Sequence, residues 1–366
     1  MAAPYQNYNQ GTFLSDLVVR PEFLQYVMEQ VYNQCQWIQS GVVTRNNSLD
    51  CRAGGTRVRV PFFQPMENGL EEQIRSDATW GDSGAGYLTP KNITGAEQVM
   101  TILHRGGAFA ADDLSKMGTG ADPMSAIASY LSSSILKLRT STLLAQLEGL
   151  FGTAIAPNVN DVSQNTAGAT EANFLTASNV VGTQALLGER GDDLTVIAMH
   201  SNVAYYLRSV GALTFSTSAL STGGSITWGG GGIGLTNTDV SYFMGLRVIQ
   251  DDLLAPTINA GGADQYPVYL MGNSSVAEGV QRDFKTEYDR NILSQQSVMS
   301  WTHDYGFHVF GTSWNNASDN PLNTALETAS NWEMVYGAAN TGNAGDGTKL
   351  IPVAKLIVNS PLAANV

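Results

Sequence analysis

The stretch from Thr227 to Asn237, TWGGGGIGLTN, contains a formal G-x-G-x-x-G match at Gly229, Gly231 and Gly234. In a dinucleotide-binding fold that spacing closes a strand and opens a helix whose N-terminal amides meet the pyrophosphate. Here the residues after Gly234, LTNTDVSYFMGLRV, are strand-like, and STGGSITW before them is turn-rich. With no β-α-β unit around it, the run reads as a loop that glycine permits through positive φ and close backbone approach. Two acid pairs, Asp112–Asp113 and Asp251–Asp252, would suit acid–base or metal chemistry if their carboxylates converged. Adjacent residues point to opposite faces of a strand and lie about 100° apart on a helix. Both pairs therefore read as solvent-facing or turn-capping acids. Of the four histidines, His104, His200, His303 and His308, the last two stand five apart in a strand-like stretch and point oppositely, which rules out chelation of one ion. No H-E-x-x-H, G-x-S-x-G, P-loop or C-x-x-C occurs. Trp301, Tyr305, Phe307, Phe310 and Trp314 read as core or interface material rather than a base-stacking platform. The sequence predicts no catalytic residue, no cofactor site and no metal site.

Composition narrows the alternatives. The chain has 366 residues, 43% of them hydrophobic, which is enough for one elaborate domain or two to three ordinary ones. Charged residues make up 14%, against roughly 25% in ordinary soluble domains. Depletion of charge is what surfaces buried against other subunits show. The formal net charge of −13 and the absence of any dense Lys/Arg run argue against sequence-specific nucleic-acid readout. Two cysteines, Cys35 and Cys51, build neither a disulfide framework nor a zinc site, and a reducing cytoplasm is expected. MAAPYQNYNQGTF has no signal-peptide pattern, and no run of roughly 18 apolar residues suggests a membrane span.

The elements that would position these residues form a mixed α+β pattern without internal repeats. An N-terminal arm carries one amphipathic helix, with Phe23, Val27 and Val31 at four-residue spacing after Pro21. TRVRVPFF alternates Arg57 and Arg59 with Val58, Val60 and Phe62, and EQVMTILHR returns as a second strand. About 30 polar, Gly-rich and acidic residues lie between them, a loop too long to bury itself. Asp122-Pro123 is an N-cap followed by a favoured first-turn residue. From there the spacing predicts a helix to Gly149 or Gly152, with Met124, Ile127 or Ala128, Leu131, Ile135, Leu138 and Thr142 on one stripe. LTVIAMH predicts a buried strand, and Ser201 a cap for a helix with Val203, Leu207 and Val210 inward. YFMGLRVIQ and YPVYLMG predict strands, and the segment from Val280 to Trp314 one or two long ones. Asn320-Pro321 is expected to open a helix with Leu322, Leu326, Ala329 and Trp332 on its apolar side, before a closing strand in KLIPVAKLIVN.

That order of elements resembles the major capsid proteins of tailed bacteriophages, with their HK97-like fold. RGGAFAADDL before the long helix carries the likeness, followed in order by TEYDRNIL, GFHVFGTSW, NPLNTALETASNWEMVY and KLIPVAKLIVNSP. The resemblance implies an N-terminal arm at 1–47, an extended E-loop hairpin at 48–90, and a peripheral domain at 91–171 whose spine helix spans about 122–151. It further implies an axial α/β domain at 172–272, with the remainder, 273–366, returning through both domains. The implied function is self-assembly through hexamers and pentamers into an icosahedral phage head. That head would enclose double-stranded DNA without sequence-specific binding, in a virion assembled in the host bacterial cytoplasm. A separate scaffolding protein is expected because the chain opens almost at once on the arm, and a portal and a decoration protein complete the implied partners. No membrane partner is expected. Candidate contacts between subunits are Glu67, Glu71, Glu72 and Asp77 on the loop, facing Lys137 or Arg139 of a neighbour's spine helix. Competing readings are an encapsulin-like compartment shell, a tail-tube or surface-array protein, and an enzyme holding a phosphate ligand in the glycine loop.

Overall fold

The computed structural model describes residues 36–50, 54–63, 95–112, 123–216, 240–259, 262–291, 293, 296–336 and 346–362. A one-turn helix, Gln36–Gln39, leads into strand β1 (Val43–Arg45), and β2 (Arg57–Phe63) pairs with β3 (Gly95–Thr101) as an antiparallel ribbon. Strand β4 (Leu103–Asp112) precedes a 30-residue helix, Pro123–Gly152. The middle of the chain supplies β5 (Val159–Asp161), a helix at Ala177–Ala185, β6 (Leu194–Met199) and a helix at Ser201–Ser209. Then come β7 (Thr214–Ser216), β8 (Val240–Phe243), β9 (Leu246–Gln250) and β10 (Gln265–Gly272). The last third runs through β11 (Val276–Asn291), β12 (Gln296–His308), β13 (Thr312–Trp314), a short helix Asn323–Glu327, β14 (Trp332–Met334), a turn of helix at Asp346–Lys349, and β15 (Val353–Asn359).

Two sheets organise these pieces. Seven strands run in the order β5-β15-β10-β6-β9-β8-β7, and four in the order β1-β11-β12-β4. The central strands of the larger sheet are covered on both sides, which is why Val196 to Met199 read as an unbroken apolar run. Val196, Ala198, Tyr269, Met271 and Val353 face the core shared with the long helix. Ile197, Met199, Val268, Leu270 and Leu356 face the helices that supply Val180, Val203 and Leu207. Strand alternation alone sorts these residues onto their two faces.

The long helix is not amphipathic in the simple sense. Leu131 and Ile135 pack on Phe284, Met299 and Trp301 of the four-stranded sheet. Farther along, Leu143, Leu147, Leu150 and Phe151 enter the main core with Tyr305 and Phe307. Leu138, expected on the buried stripe, is 53% exposed, because the helix changes packing partner between these two patches. The helix ends at Gly152, one of the two expected stops, and Gly149 is a contact point: a Cβ there would lie 2.0 Å from the Leu326 carbonyl oxygen. Only a glycine lets the short helix lie that close.

Three other expectations change. His200, not Ser201, is the N-cap of the Ser201–Ser209 helix, its ring Nδ1 accepting from the Asn202 amide at 3.1 Å. Val203 and Leu207 are buried as expected, but Val210 is the C-cap and is 62% exposed. The helix expected from Leu322 onward lasts only from Asn323 to Glu327. Trp332 then pairs with Trp314 across β13–β14, the two rings meeting edge to face at 4.9 Å. That contact draws the chain out of helical geometry and leaves Leu322 at 70% exposure.

Candidate functional site

Glu67, Glu71, Glu72 and Asp77 lie outside the described residues, as does the glycine run. The strands on either side of that run, β7 and β8, pair antiparallel with Thr214 opposite Tyr242, and the described element after it is a strand. Lys137 and Arg139 are both on the long helix, where two residues of separation turn them about 200° apart. Lys137 is exposed, whereas Arg139 is 5% exposed and turned into the subunit. Its guanidinium donates through Nη2 to Glu278 Oε1 of β11 and lies 5.2 Å from the Tyr305 ring centroid. The sequence placed these two basic residues together, and the structure gives them different surroundings.

Glu278 was missed at the sequence level. An acid inside the apolar run VYLMGNSSVAEGV signals a buried charge in need of a partner, but nothing local says which partner. Around this pair the smaller sheet carries further ties. Asp50 Oδ1 accepts from the Val280 amide at 2.9 Å, and its Oδ2 lies 3.2 Å from Arg45 Nη2. His303 stacks on Tyr305 at 4.8 Å; burial first, then Arg139 and Arg45, lower its pKa to about 3. His308 is lowered to about 4 by burial, with Nε2 donating to Gln98 Oε1 at 2.9 Å. The rings sit among different neighbours, His303 near Phe284 and His308 near Phe310, and do not converge on an ion.

The acid pair Asp251–Asp252 is likewise structural. Asp251 accepts from the Trp37 indole at 2.8 Å and from the Leu253 amide at 3.0 Å, while Asp252 accepts from the Ser201 amide at 3.2 Å. The last of these helps hold Asp252 below the usual carboxylate range, the hydrogen bond with the Ser201 side chain being the larger cause. Asp112 ends β4 opposite Gln296, and Asp113 lies outside the described residues.

A cleft of about 740 Å³ opens where β11 shifts register beside the start of β2. Its acid, Asp304, is held between His104 Nδ1 at 3.1 Å and Arg282 Nε at 3.4 Å. Arg105, also in the cleft wall, donates to Asn320 Oδ1 and the Pro321 carbonyl. These groups satisfy one another, leaving no nucleophile beside a base. Among the described residues no three His, Cys, Asp or Glu side chains gather as metal ligands. The geometry builds joints between elements.

Seen against known proteins, the chain is similar in sequence to a phage major capsid protein and in fold to solved phage capsids. Over 335 residues the chain is 25% identical to the major capsid protein of Bacillus phage SPP1, covering 89% of this chain and 94% of that relative. In three dimensions it matches the capsid of Ralstonia phage GP4 with a TM-score of 0.57 at 11% identity, covering 100% and 99% of the two chains. The capsid asymmetric unit of cyanophage Pam1 matches with a TM-score of 0.51 at 12% identity, covering 98% and 99%. No protein-family model matches the chain. The resemblance to tailed-phage major capsid proteins read from the order of elements is thus supported by sequence and by fold.

Proposed function

We propose that this chain is the building block of an icosahedral phage head, joining through hexamers and pentamers around double-stranded DNA. The observation that carries the reading is that the likeness to capsid proteins spans nearly the entire chain, in sequence and in fold alike. A shell subunit must offer surface that it does not bury itself. Phe63 at the end of the β2–β3 ribbon is 81% exposed, and Leu293 between β11 and β12 is 98% exposed. A two-stranded ribbon is marginal alone, and contacts with a neighbour would complete it. In this proposal residues 1–47 form the arm, 48–90 the E-loop, 91–171 the peripheral domain, 172–272 the axial domain and 273–366 the return. The partners are other copies of the chain, a separate scaffolding protein, a portal and a decoration protein. The loop acids Glu67, Glu71, Glu72 and Asp77 face exposed basic residues of a neighbour. Lys137 fits that description, whereas Arg139 already has Glu278.

Electron microscopy of the protein expressed alone and from the native lysate tests the reading. Closed shells of uniform size, filled with DNA in the lysate, are expected. Tubes, sheets, shells filled with another protein, or small soluble oligomers would each overturn it.

A further inference from the structure

The cleft of about 740 Å³ beside the start of β2 holds more positive than negative charge. Arg105, Arg282 and His104 line it, and Asp304 is the one acid among its lining residues. That local excess runs against a formal net charge of −13, and a cleft lined mainly by one sign focuses the field inside it. Strand pairing builds the arrangement. Asp304 of β12 has Arg282 of β11 as its cross-strand partner on one side and His104 of β4 on the other. Directly opposed residues share a face of a sheet, so the three side chains form one row. Register shifts flank Arg282 on both sides, and a bulged strand re-aims side chains that plain alternation would fix. Thr302, two residues before Asp304, lies on the same face and also lines the cleft.

The buried Asp304 carboxylate engages only one nitrogen of each neighbour. It lies 3.4 Å from Arg282 Nε and 3.1 Å from His104 Nδ1. Among the described residues nothing else is bonded to the Arg282 Nη groups or to His104 Nε2. Asp304 thus fixes a guanidinium and an imidazole in place and leaves their outer nitrogens to a third group. In the wall contributed from the β2 side, Gly54 has φ +103° and open space where a Cβ would stand, so bare backbone faces the cleft there.

We propose that this cleft is a binding site for a phosphate group. A guanidinium fork matches carboxylate and phosphate alike. The two oxygens of a carboxylate are filled by the fork alone. Phosphate has further oxygens for the His104 ring and the Thr302 hydroxyl, which share the face with Arg282. Between Asp304 and a phosphate the imidazole donates through both nitrogens. Free phosphate and the backbone of a nucleic acid both carry this group, and contact with the backbone conveys no sequence information.

Titration calorimetry on unassembled subunits of the full chain, at constant ionic strength balanced with chloride, tests this. Inorganic phosphate should bind saturably. Arg282→Gln and His104→Gln should each weaken it about ten-fold, as expected for loss of a hydrogen bond to a charged group. Lys285→Gln removes an exposed cation of the same strand, outside the cleft and paired with Glu287, and should leave binding unchanged. Asp304→Asn separates a built site from diffuse attraction. Loss of an acid strengthens any general pull on an anion, whereas here it releases the two cationic heads and weakens binding. Arg282 is exposed, so its variant folds and decides the case even where Asp304→Asn does not. A short DNA duplex titrated in the same way identifies the source: binding that inorganic phosphate displaces and Arg282→Gln abolishes assigns the nucleic-acid backbone, and no such binding assigns the free anion. No saturable phosphate binding, an equal loss in Lys285→Gln, or tighter binding by Asp304→Asn would overturn the proposal. The subunits are free throughout, so the result stands whether or not the chain forms shells.

Discussion

At the scale of single residues, the buried Arg139–Glu278 pair and the two buried histidines set the sharpest expectations. Removing one partner of a buried ion pair leaves the other charge desolvated and alone, a loss of about 3–5 kcal/mol. Arg139→Ala should therefore lower the urea midpoint far more than Lys137→Ala, whose side chain is exposed. The double change Arg139→Met with Glu278→Leu should recover much of the loss, since no charge is stranded. His303 and His308 add a pH dependence of definite sign. Their folded pKa values, about 3 and about 4, lie below the ordinary 6.5, so the unfolded chain binds protons that the folded chain refuses. Stability is full above pH 6.5 and falls as pH drops toward the folded values, by roughly 1.4 kcal/mol per histidine per pH unit. Urea titrations between pH 6.5 and 5 should show a shallower slope for His308→Gln than for the parent chain. An unchanged slope would mean that His308 does not titrate on unfolding.

At the scale of elements, two glycines separate propensity from packing. Alanine favours a helix interior over glycine by about 1 kcal/mol. Gly182, in the Ala177–Ala185 helix, has 3.6 Å of room to the Asn160 side chain, so Gly182→Ala should raise the melting temperature. At Gly149 the same change meets a backbone carbonyl at 2.0 Å and the Trp332 indole nitrogen at 2.7 Å. Overpacking of that kind costs about 1–3 kcal/mol and outweighs the propensity gain. Gly149→Ala should lower the melting temperature and loosen the Asn323–Glu327 helix, read as faster amide exchange there. The opposing signs test whether the long helix is held by its neighbours or by its own sequence.

For the whole molecule, the expectation concerns assembly. Reversing Glu71 and Glu72 to Lys should lower particle yield, and Lys137→Glu on the same chain should restore part of it if these residues meet across subunits. Normal yield from the double reversal would remove the pairing. Arg139→Glu should not rescue, because that position faces Glu278 and would unfold the joint instead.

Much of this protein was legible in the order of its residues. TRVRVPFF and EQVMTILHR gave the ribbon, Pro123 the start of the long helix, and LTVIAM a buried strand, because first-turn preference and side-chain period act locally. The glycine match parts from a dinucleotide fingerprint at the strand-like residues after Gly234, and the described element there is strand β8. Tertiary structure decided the rest. Lys137 and Arg139 look equivalent in sequence, yet one faces water and the other a carboxylate 139 residues away. Leu138 and Leu322 looked like core and are exposed, while Trp332 left its expected helix for a strand beside Trp314. Of the two glycines expected to end the long helix, Gly152 is its last residue and Gly149 is a contact. Each of these depends on which distant surface arrives at the residue, and local periodicity carries no information about that.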